Sequence, residues 1–258
     1  MPSPTDFNLT PYYDDYSESK KFHRILFRPS FAVQARELTQ SQTILQNQIE
    51  SLSDHFFEKG AMVIPGEISY DLEYYSVSLT SFSGTSNLSN FVGVELTGTT
   101  SGVTAVVVNY SAADGTDPDT LFVKYLNSGT SNTANSFSTS ETISGTAIIN
   151  GVSTNLNALV SSTFTGSSAE VAEGVYYING FHVKVDNQVI ILEKYLNNPS
   201  YRVGLLVTES FVKSTDDASL LDNAQGSSNI NAPGADRFKI NLTLEKRVVT
   251  SSDDANFV

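Results

Sequence analysis

Cysteine and tryptophan are both absent from this sequence of 258 residues. Without cysteine the chain has no disulfide framework, no thiolate zinc site and no cysteine nucleophile, so its stability must come from burial and assembly. Without tryptophan it lacks the largest aromatic platform for stacking on a sugar ring. No apolar run approaches the 18 or so residues of a membrane span, so we expect no membrane span.

Basic residues are scarce, and the net charge is -13 with a pI near 4.5. Phosphate contacts need clustered lysine and arginine, so this charge argues against a nucleic-acid partner. The first residues, "MPSPTDFNLT", lack the basic and apolar regions of a signal peptide. We therefore expect a soluble protein that starts in a cytoplasm.

Motifs for catalysis are also missing: the sequence has no glycine-rich phosphate loop, no HExxH and no GxSxG. His23, His55 and His182 are isolated from one another, whereas a metal site needs several converging ligands. The acidic stretch "ADGTDPDT" contains Asp114, Asp117 and Asp119 but lacks the terminal glutamate of a calcium loop, and Asp-Gly and Asp-Pro pairs are common in turns. We expect no enzymatic activity, no metal and no cofactor.

Residues 1–33 combine prolines, tyrosines and basic residues without a sustained period, which predicts an extended arm that lies on another surface. Five of the fifteen basic residues fall within seventeen positions, namely Lys20, Lys21, Arg24, Arg28 and Arg36. We expect the arm to dock on an acidic partner through Tyr12, Tyr13, Lys20, Lys21, Arg24 and Arg28. The open alternative is pairing within the chain with Asp14, Asp15 and Glu18.

Residues 34–60 are predicted to form a helix, because "QARELTQSQTILQNQIESL" carries a narrow apolar stripe on a glutamine-rich background. A stripe with a heptad repeat is typical of a helix that packs on a partner helix. We predict an oligomer interface formed by Leu38, Gln42, Leu45, Ile49, Leu52 and Phe56, in which polar Gln42 sets the register. About three heptads cannot hold an oligomer alone, so flanking regions must contribute.

The open alternative for this helix is an ordinary one that lies on the β domain of its own chain. In that arrangement Ile44 and Phe57 widen its apolar face beyond the stripe.

From Ala61 onward, apolar and polar residues alternate as in strands. We predict a mainly β (α+β) fold: a β-sandwich-like domain, split into residues 61–82 and 169–258, interrupted by a small β barrel or sandwich at 83–168. The insert is rich in Ser, Thr, Gly and Asn and contains the strand candidates "FVGVELTG", "TSGVTAVVVNY", "TLFVKYL" and "GTAIING". The chain stops at "TSSDDANFV", where a new pair of apolar residues begins. We interpret the whole chain as the front of a longer protein.

Several segments carry a family resemblance, covering about residues 7–82 and 169–245. They are "FNLTPYYDDYSESKKFHRILFRPSFAVQARELTQSQTILQNQIESLSDHFF", "EGVYYINGFHVKV", "YLNNPSYRVGLLVTE" and "SLLDNAQGSSNINAPGADRFKINLTL". The chain resembles the amino-terminal part of virion structural proteins of tailed bacteriophages, cyanophages prominent among them. Those proteins contain a domain of unknown function and are assigned to the baseplate or tail fibre. The resemblance implies a longer, fibre-like protein and supplies no catalytic residues.

Three classes of function follow. The leading one is a structural component of a phage tail, baseplate or fibre attachment, located in the virion and assembled in the host cytoplasm, with other tail proteins and copies of itself as partners. By analogy with fibre proteins we expect a homotrimer. The second is an adhesin whose insert binds a receptor or host surface glycan through Phe91, Tyr110, Phe122, Tyr125 and Phe137. The third, a polysaccharide-degrading enzyme, needs two carboxylates in a groove, which sequence alone cannot place.

Overall fold

The computed structural model describes residues 5–226 and 228–258. Within these residues one α-helix, α1 (Ala35–Ser53), precedes twelve strands. The strands are β1 (Met62–Ile64), β2 (Ile68–Ser83), β3 (Glu95–Gly98), β4 (Thr104–Ser111), β5 (Thr120–Tyr125), β6 (Thr142–Ile149), β7 (Val152–Val171), β8 (Gly174–Ile178), β9 (Phe181–Val185), β10 (Gln188–Glu193), β11 (Tyr201–Val212) and β12 (Arg237–Val248). All their pairings are antiparallel. The predicted mainly β fold with one N-terminal helix is confirmed.

Six strands close into a small barrel. Their order around the ring is β7, β2, β5, β4, β3 and β6, and β6 pairs again with β7. The strand candidates read from the inserted region supply β3, β4, β5 and β6. Alternating side chains point inward, as in β3, where Leu96 is buried between exposed Glu95 and Thr97. The interior is therefore a packed apolar core, whose largest members include Phe91, Leu96, Leu121, Ile143 and Leu156.

A second core lies between two smaller sheets. One sheet has the order β1, β8, β9, and the other is the pair β11 and β12, which are in register from Tyr201 opposite Val248 to Val212 opposite Arg237. Their facing sides bury Tyr176, Ile178, Val183, Val185, Leu205, Val207, Leu242 and Leu244, and Val171 at the end of β7 joins the same core. This two-layer arrangement is the sandwich-like unit of the fold.

The two units share one long ribbon made by β2 and β7. The ribbon pairs from Ile68 opposite Val171, beside the sandwich, to Ser83 opposite Asn157, within the barrel. The barrel core already includes Val77 of β2, whereas β7 contributes Val171 to the sandwich core. The predicted insert at 83–168 therefore contains β3 to β6 whole but divides both ribbon strands. Whether the barrel folds as an autonomous insert stays a prediction.

The connection after β10 fastens the barrel to the sandwich. Ser76 donates to the carbonyl oxygen of Lys194 at 2.6 Å, and the hydroxyls of Thr120 and Tyr195 lie 2.9 Å apart. The Lys194 ammonium reaches Asp114 at 2.9 Å and Asp117 at 3.0 Å. The orientation of the barrel is thus fixed by polar contacts as well as by the ribbon.

Residues 256–258 lie beside β11 and form an isolated antiparallel bridge between Leu206 and Phe257. The N–H of Leu205 donates to the carbonyl of Val258 at 2.7 Å, and the N–H of Val258 donates back at 3.0 Å. Gly204 permits this approach, because a Cβ there would lie 2.4 Å from the Val258 carbonyl oxygen. The Arg247 guanidinium covers the Phe257 ring at 4.5 Å. This end of the described chain is therefore firmly packed.

Candidate interaction surface

Helix α1 is shorter than the predicted segment 34–60. It begins after Gln34, whose backbone N–H donates to the Glu37 carboxylate at 2.8 Å, so one terminal donor is satisfied. It ends at Ser53, and turns then carry the chain to Gly60, where φ is +88°. Phe56 therefore lies just beyond the helix, because the helical hydrogen bonds give way to turns before this position is reached.

One side of α1 is docked on its own chain. Ile44 is only 3% exposed. The Gln46 amide donates to the Gly180 carbonyl, in the turn between β8 and β9, at 2.5 Å. Farther along, the Tyr177 hydroxyl donates to Asp54 at 2.5 Å. Burial and the neighbouring Asp54 carboxylate raise the pKa of Tyr177, so its hydroxyl keeps the proton that it donates.

The opposite side of α1 is uncovered, and five of the six residues of the predicted interface lie there, while Phe56 follows just beyond the end of the helix. Leu45 is 66% and Leu52 is 64% exposed. Leu38, Gln42, Ile49 and Phe56 are exposed as well. This surface, which we call the stripe, consists of Leu38, Gln42, Leu45, Ile49, Leu52 and Phe56. Its role as an oligomer interface stays a prediction.

The other face of α1 matches the alternative interpretation, in which the helix lies on the β domain of its own chain. Ile44 is buried, and the Phe57 ring lies 5.9 Å from the ring of Tyr177 and 6.0 Å from that of His182. Both sequence interpretations therefore have a counterpart in the structure. The helix packs on its own β domain through one face and leaves the stripe free on the other.

The first part of the arm lies on its own chain. Phe7 packs edge-on against Phe211 and Phe238, with ring centroids 5.9 and 5.0 Å away. The Tyr12 ring lies against Phe211, and its hydroxyl donates to the Asp236 carboxylate at 2.7 Å. Burial is the main cause that raises the pKa of Tyr12, and the Asp236 carboxylate raises it further. Tyr12 is therefore engaged within the chain, whereas Tyr13 is exposed.

The basic cluster is only partly paired. Asp15 lies 3.5 Å from Lys20 and 3.7 Å from Arg36, which is the intrachain alternative read from the sequence. Both pairs are solvent-exposed and therefore weak. Within the described residues no ion pair involves Lys21, Arg24 or Arg28. These three charges stay available to a partner.

Residues 22–33, which we call the strap, expose more apolar surface than the sequence prediction assigned to them. Leu26 is 75% exposed, and Phe22, Phe27, Phe31 and Val33 are exposed too. The sequence prediction named only tyrosines and basic residues in the arm. A usable signal was present, since large apolar residues recur between the arginines in a segment with neither strand nor helix period.

The acidic residues considered for a metal site have partners within the chain. The Lys194 ammonium forms ion pairs with the carboxylates of Asp114 and Asp117. The Asp119 carboxylate accepts a hydrogen bond from the Ala113 N–H at 2.9 Å. The Asp117 N–H, the Lys194 ammonium and the Thr116 N–H hold the pKa of Asp114 well below its usual range. Across the part of the chain that the structure describes, no three His, Asp or Glu side chains converge on a possible metal position.

The aromatic residues considered for glycan contact are mostly internal. Phe91, Phe122 and Phe137 are buried, so their ring faces are covered by protein. Tyr125 is half-buried between Tyr75 and Phe137, and burial raises its pKa to about 12. Tyr110 alone of the five is exposed. The barrel thus offers one ring of that set to a ligand.

A protein-family model described as a domain of unknown function (DUF4815) matches residues 10–82. The match spans most of the arm, α1, β1 and nearly all of β2, so it includes the whole stripe and strap. No curated protein and no solved structure matches the chain. Among the residues that the structure describes, no helix is both long and apolar enough to cross a membrane.

Proposed function

We propose that this protein is a structural component of a bacteriophage tail, at the baseplate or the fibre attachment, that acts by self-association. The resemblance of its terminal segments to virion structural proteins supports the location. The uncovered stripe on α1 supports the mode of action. The proposed partners are further copies of the chain and other tail proteins, in a virion assembled in the host cytoplasm.

One observation carries the proposal: α1 docks on its own chain through the face that holds Ile44, while its apolar stripe stays uncovered. Isolated exposed leucines are ordinary, but a line of four large apolar side chains along one helix, continued by Phe56, is a typical docking surface. Burying what each still exposes would contribute on the order of 1 kcal/mol per side chain, which repetition across subunits multiplies. We expect three copies, by analogy with fibre proteins.

The matched test introduces charge on and beside the stripe. Leu45→Asp with Ile49→Asp places two carboxylates in the stripe, and we expect association to weaken at least about a hundredfold because both charges would be buried. Both residues are exposed in the single chain, so its thermal unfolding should change little. Sedimentation equilibrium measures the first effect and calorimetry the second.

The control is Gln48→Asp with Ser51→Asp, which adds the same charge at exposed helix positions outside the stripe. We expect this variant to associate nearly as the unmodified chain does. Equal association of the stripe variant and the unmodified chain would refute the proposal, and so would a chain that sediments as a monomer at all accessible concentrations.

The adhesin function is the second candidate, and it has less support. Three of its five proposed aromatic contacts are buried. Binding of a glycan by the full chain would favour it over the structural role.

A further inference from the structure

The strap has few contacts within its own chain. In the described residues, the backbone of 22–33 forms one hydrogen bond, from the N–H of Phe31 to the carbonyl of Arg28. The Arg28 guanidinium lies over the Phe31 ring at 4.5 Å, which is also a contact inside the strap. Apart from half-buried Ile25, its residues are exposed. A chain segment this apolar is expected to gain free energy when another surface covers it.

Both ends of the strap are held near one carboxylate. Asp15 contacts Lys20 before the strap, and it contacts Arg36 and Gln40 after it. The strap is therefore a loop with a closed neck beside the first turns of α1. Twelve residues that double back reach at most about 20 Å from such a neck. Neighbouring packed helices lie only about 8 to 10 Å apart, so the strap can reach a second α1.

The stripe alone is too small for a stable interface. A helix of 19 residues is about 28 Å long, and a stripe about 10 Å wide along it covers roughly 300 Å². Specific interfaces bury about 800 Å² on each partner. The strap, with five exposed large apolar side chains, supplies the kind of additional area that is missing.

Charge favours a second copy of this chain as the occupant. Residues 20–36 contain five basic and no acidic residues, so with a total of -13 the remainder of the chain carries -13 - 5 = -18. A neighbouring copy is therefore strongly acidic overall outside this region. Such complementarity directs the basic strap towards another copy and disfavours contact between two straps.

From these observations we infer that the strap of one copy packs across the stripe of a neighbouring copy, so that the two surfaces form one interface. This inference rests on the proposed self-association and adds the identity of the covering segment. The arm is then divided by function: residues 5–18 hold the subunit together, and residues 22–33 bind its neighbour.

Site-specific photo-crosslinking tests the inference. A benzoyl-phenylalanine replaces Phe27, which is exposed in the strap, or Phe7, which packs on Phe211 and Phe238 of its own chain. After irradiation, a denaturing gel separates covalent dimers from single chains, and mass spectrometry locates the bond. We expect dimers from position 27, joined to residues 38–56, and at least about tenfold fewer from position 7.

Sedimentation of the same samples distinguishes a failure of the strap inference from a failure of the proposed self-association. If the protein associates but position 27 yields no covalent dimer, or yields bonds only to its own chain, the strap inference is wrong and self-association stands. If the protein does not associate at any accessible concentration, both fail. Dimers joined at a site outside residues 38–56 would also overturn the assignment of the stripe as the strap's partner.

Discussion

Glu141 shows how a single charged residue is accommodated at the end of the barrel. Its side chain is 3% exposed and accepts the N–H groups of Thr100 at 3.0 Å and Ser101 at 2.9 Å, the Ser101 hydroxyl, and the Ser138 N–H. Burial opposes the charge, but the donors of Ser101, Ser138 and Thr100 outweigh it and lower the pKa of Glu141. The carboxylate thus ties together two loops of the barrel.

We expect Glu141→Gln to destabilise the protein by about 1.5 to 3 kcal/mol at neutral pH, because the new amide group turns a donor towards backbone donors. The folded pKa lies below the unfolded value of about 4.3, so the stabilisation is complete above that value and is lost as pH falls through the folded pKa. Urea unfolding should therefore show that the difference in unfolding free energy between the unmodified chain and Glu141→Gln becomes smaller as the pH is lowered from neutral to below about pH 4.

Glu95→Gln is the matched control, since Glu95 is exposed on the same barrel. Its unfolding free energy should stay within about 0.5 kcal/mol of the unmodified chain. If the loss of unfolding free energy in Glu141→Gln is the same at every pH, the charge-based explanation is wrong.

At the scale of elements, the ribbon of β2 and β7 decides where the barrel can be removed. Ser76 pairs with Phe164 at the sandwich-side edge of the barrel, where β5 also pairs with it, so an Asn-Gly turn joining Ser76 and Phe164 would leave a closed hairpin on an intact sandwich core. We expect this shortened chain to unfold cooperatively in calorimetry.

The comparison is removal of residues 83–168, the boundaries predicted from composition. That deletion leaves Val77 and Leu79 without their β7 partners and without their core. We expect it to unfold at a lower temperature or without a cooperative transition. Equal stability of the two shortened chains would show that the ribbon does not set the boundary.

These elements also show what the sequence can and cannot specify. Local periodicity predicted α1, the barrel strands and the pair β11 and β12, because alternation and heptad spacing are short-range properties. It could not show that β7 contributes to both cores, since no change in residue type marks the crossing, and the boundary at residues 83–168 stays a prediction. Likewise, the heptad located the stripe, but the exposure of Leu26 and Phe27 depends on tertiary packing that no local pattern records.

At the scale of the whole molecule, charge is segregated between the strap region and the rest. We predict that Arg24→Glu with Arg28→Glu weakens self-association by about tenfold near physiological salt. Lys124→Glu with Lys213→Glu changes the net charge equally at exposed positions outside the arm and should have a smaller effect. Sedimentation at about 0.15 M and about 1 M NaCl measures both.

The difference between the two variants should shrink at high salt, where the screening length falls to about 3 Å. If the two variants weaken association equally at every salt concentration, only net charge matters and the arm has no specific electrostatic role.

The ribbon has a mechanical consequence for the chain. β2 alone spans 16 residues, or about 53 Å, and it is paired with β7 along most of that length. Both strands run without a break from the sandwich into the barrel, so tension between the two units along this axis is carried by two covalent backbones that the hydrogen bonds between them keep aligned. The molecule should therefore resist stretching along this axis and yield first where the chain is peeled sideways.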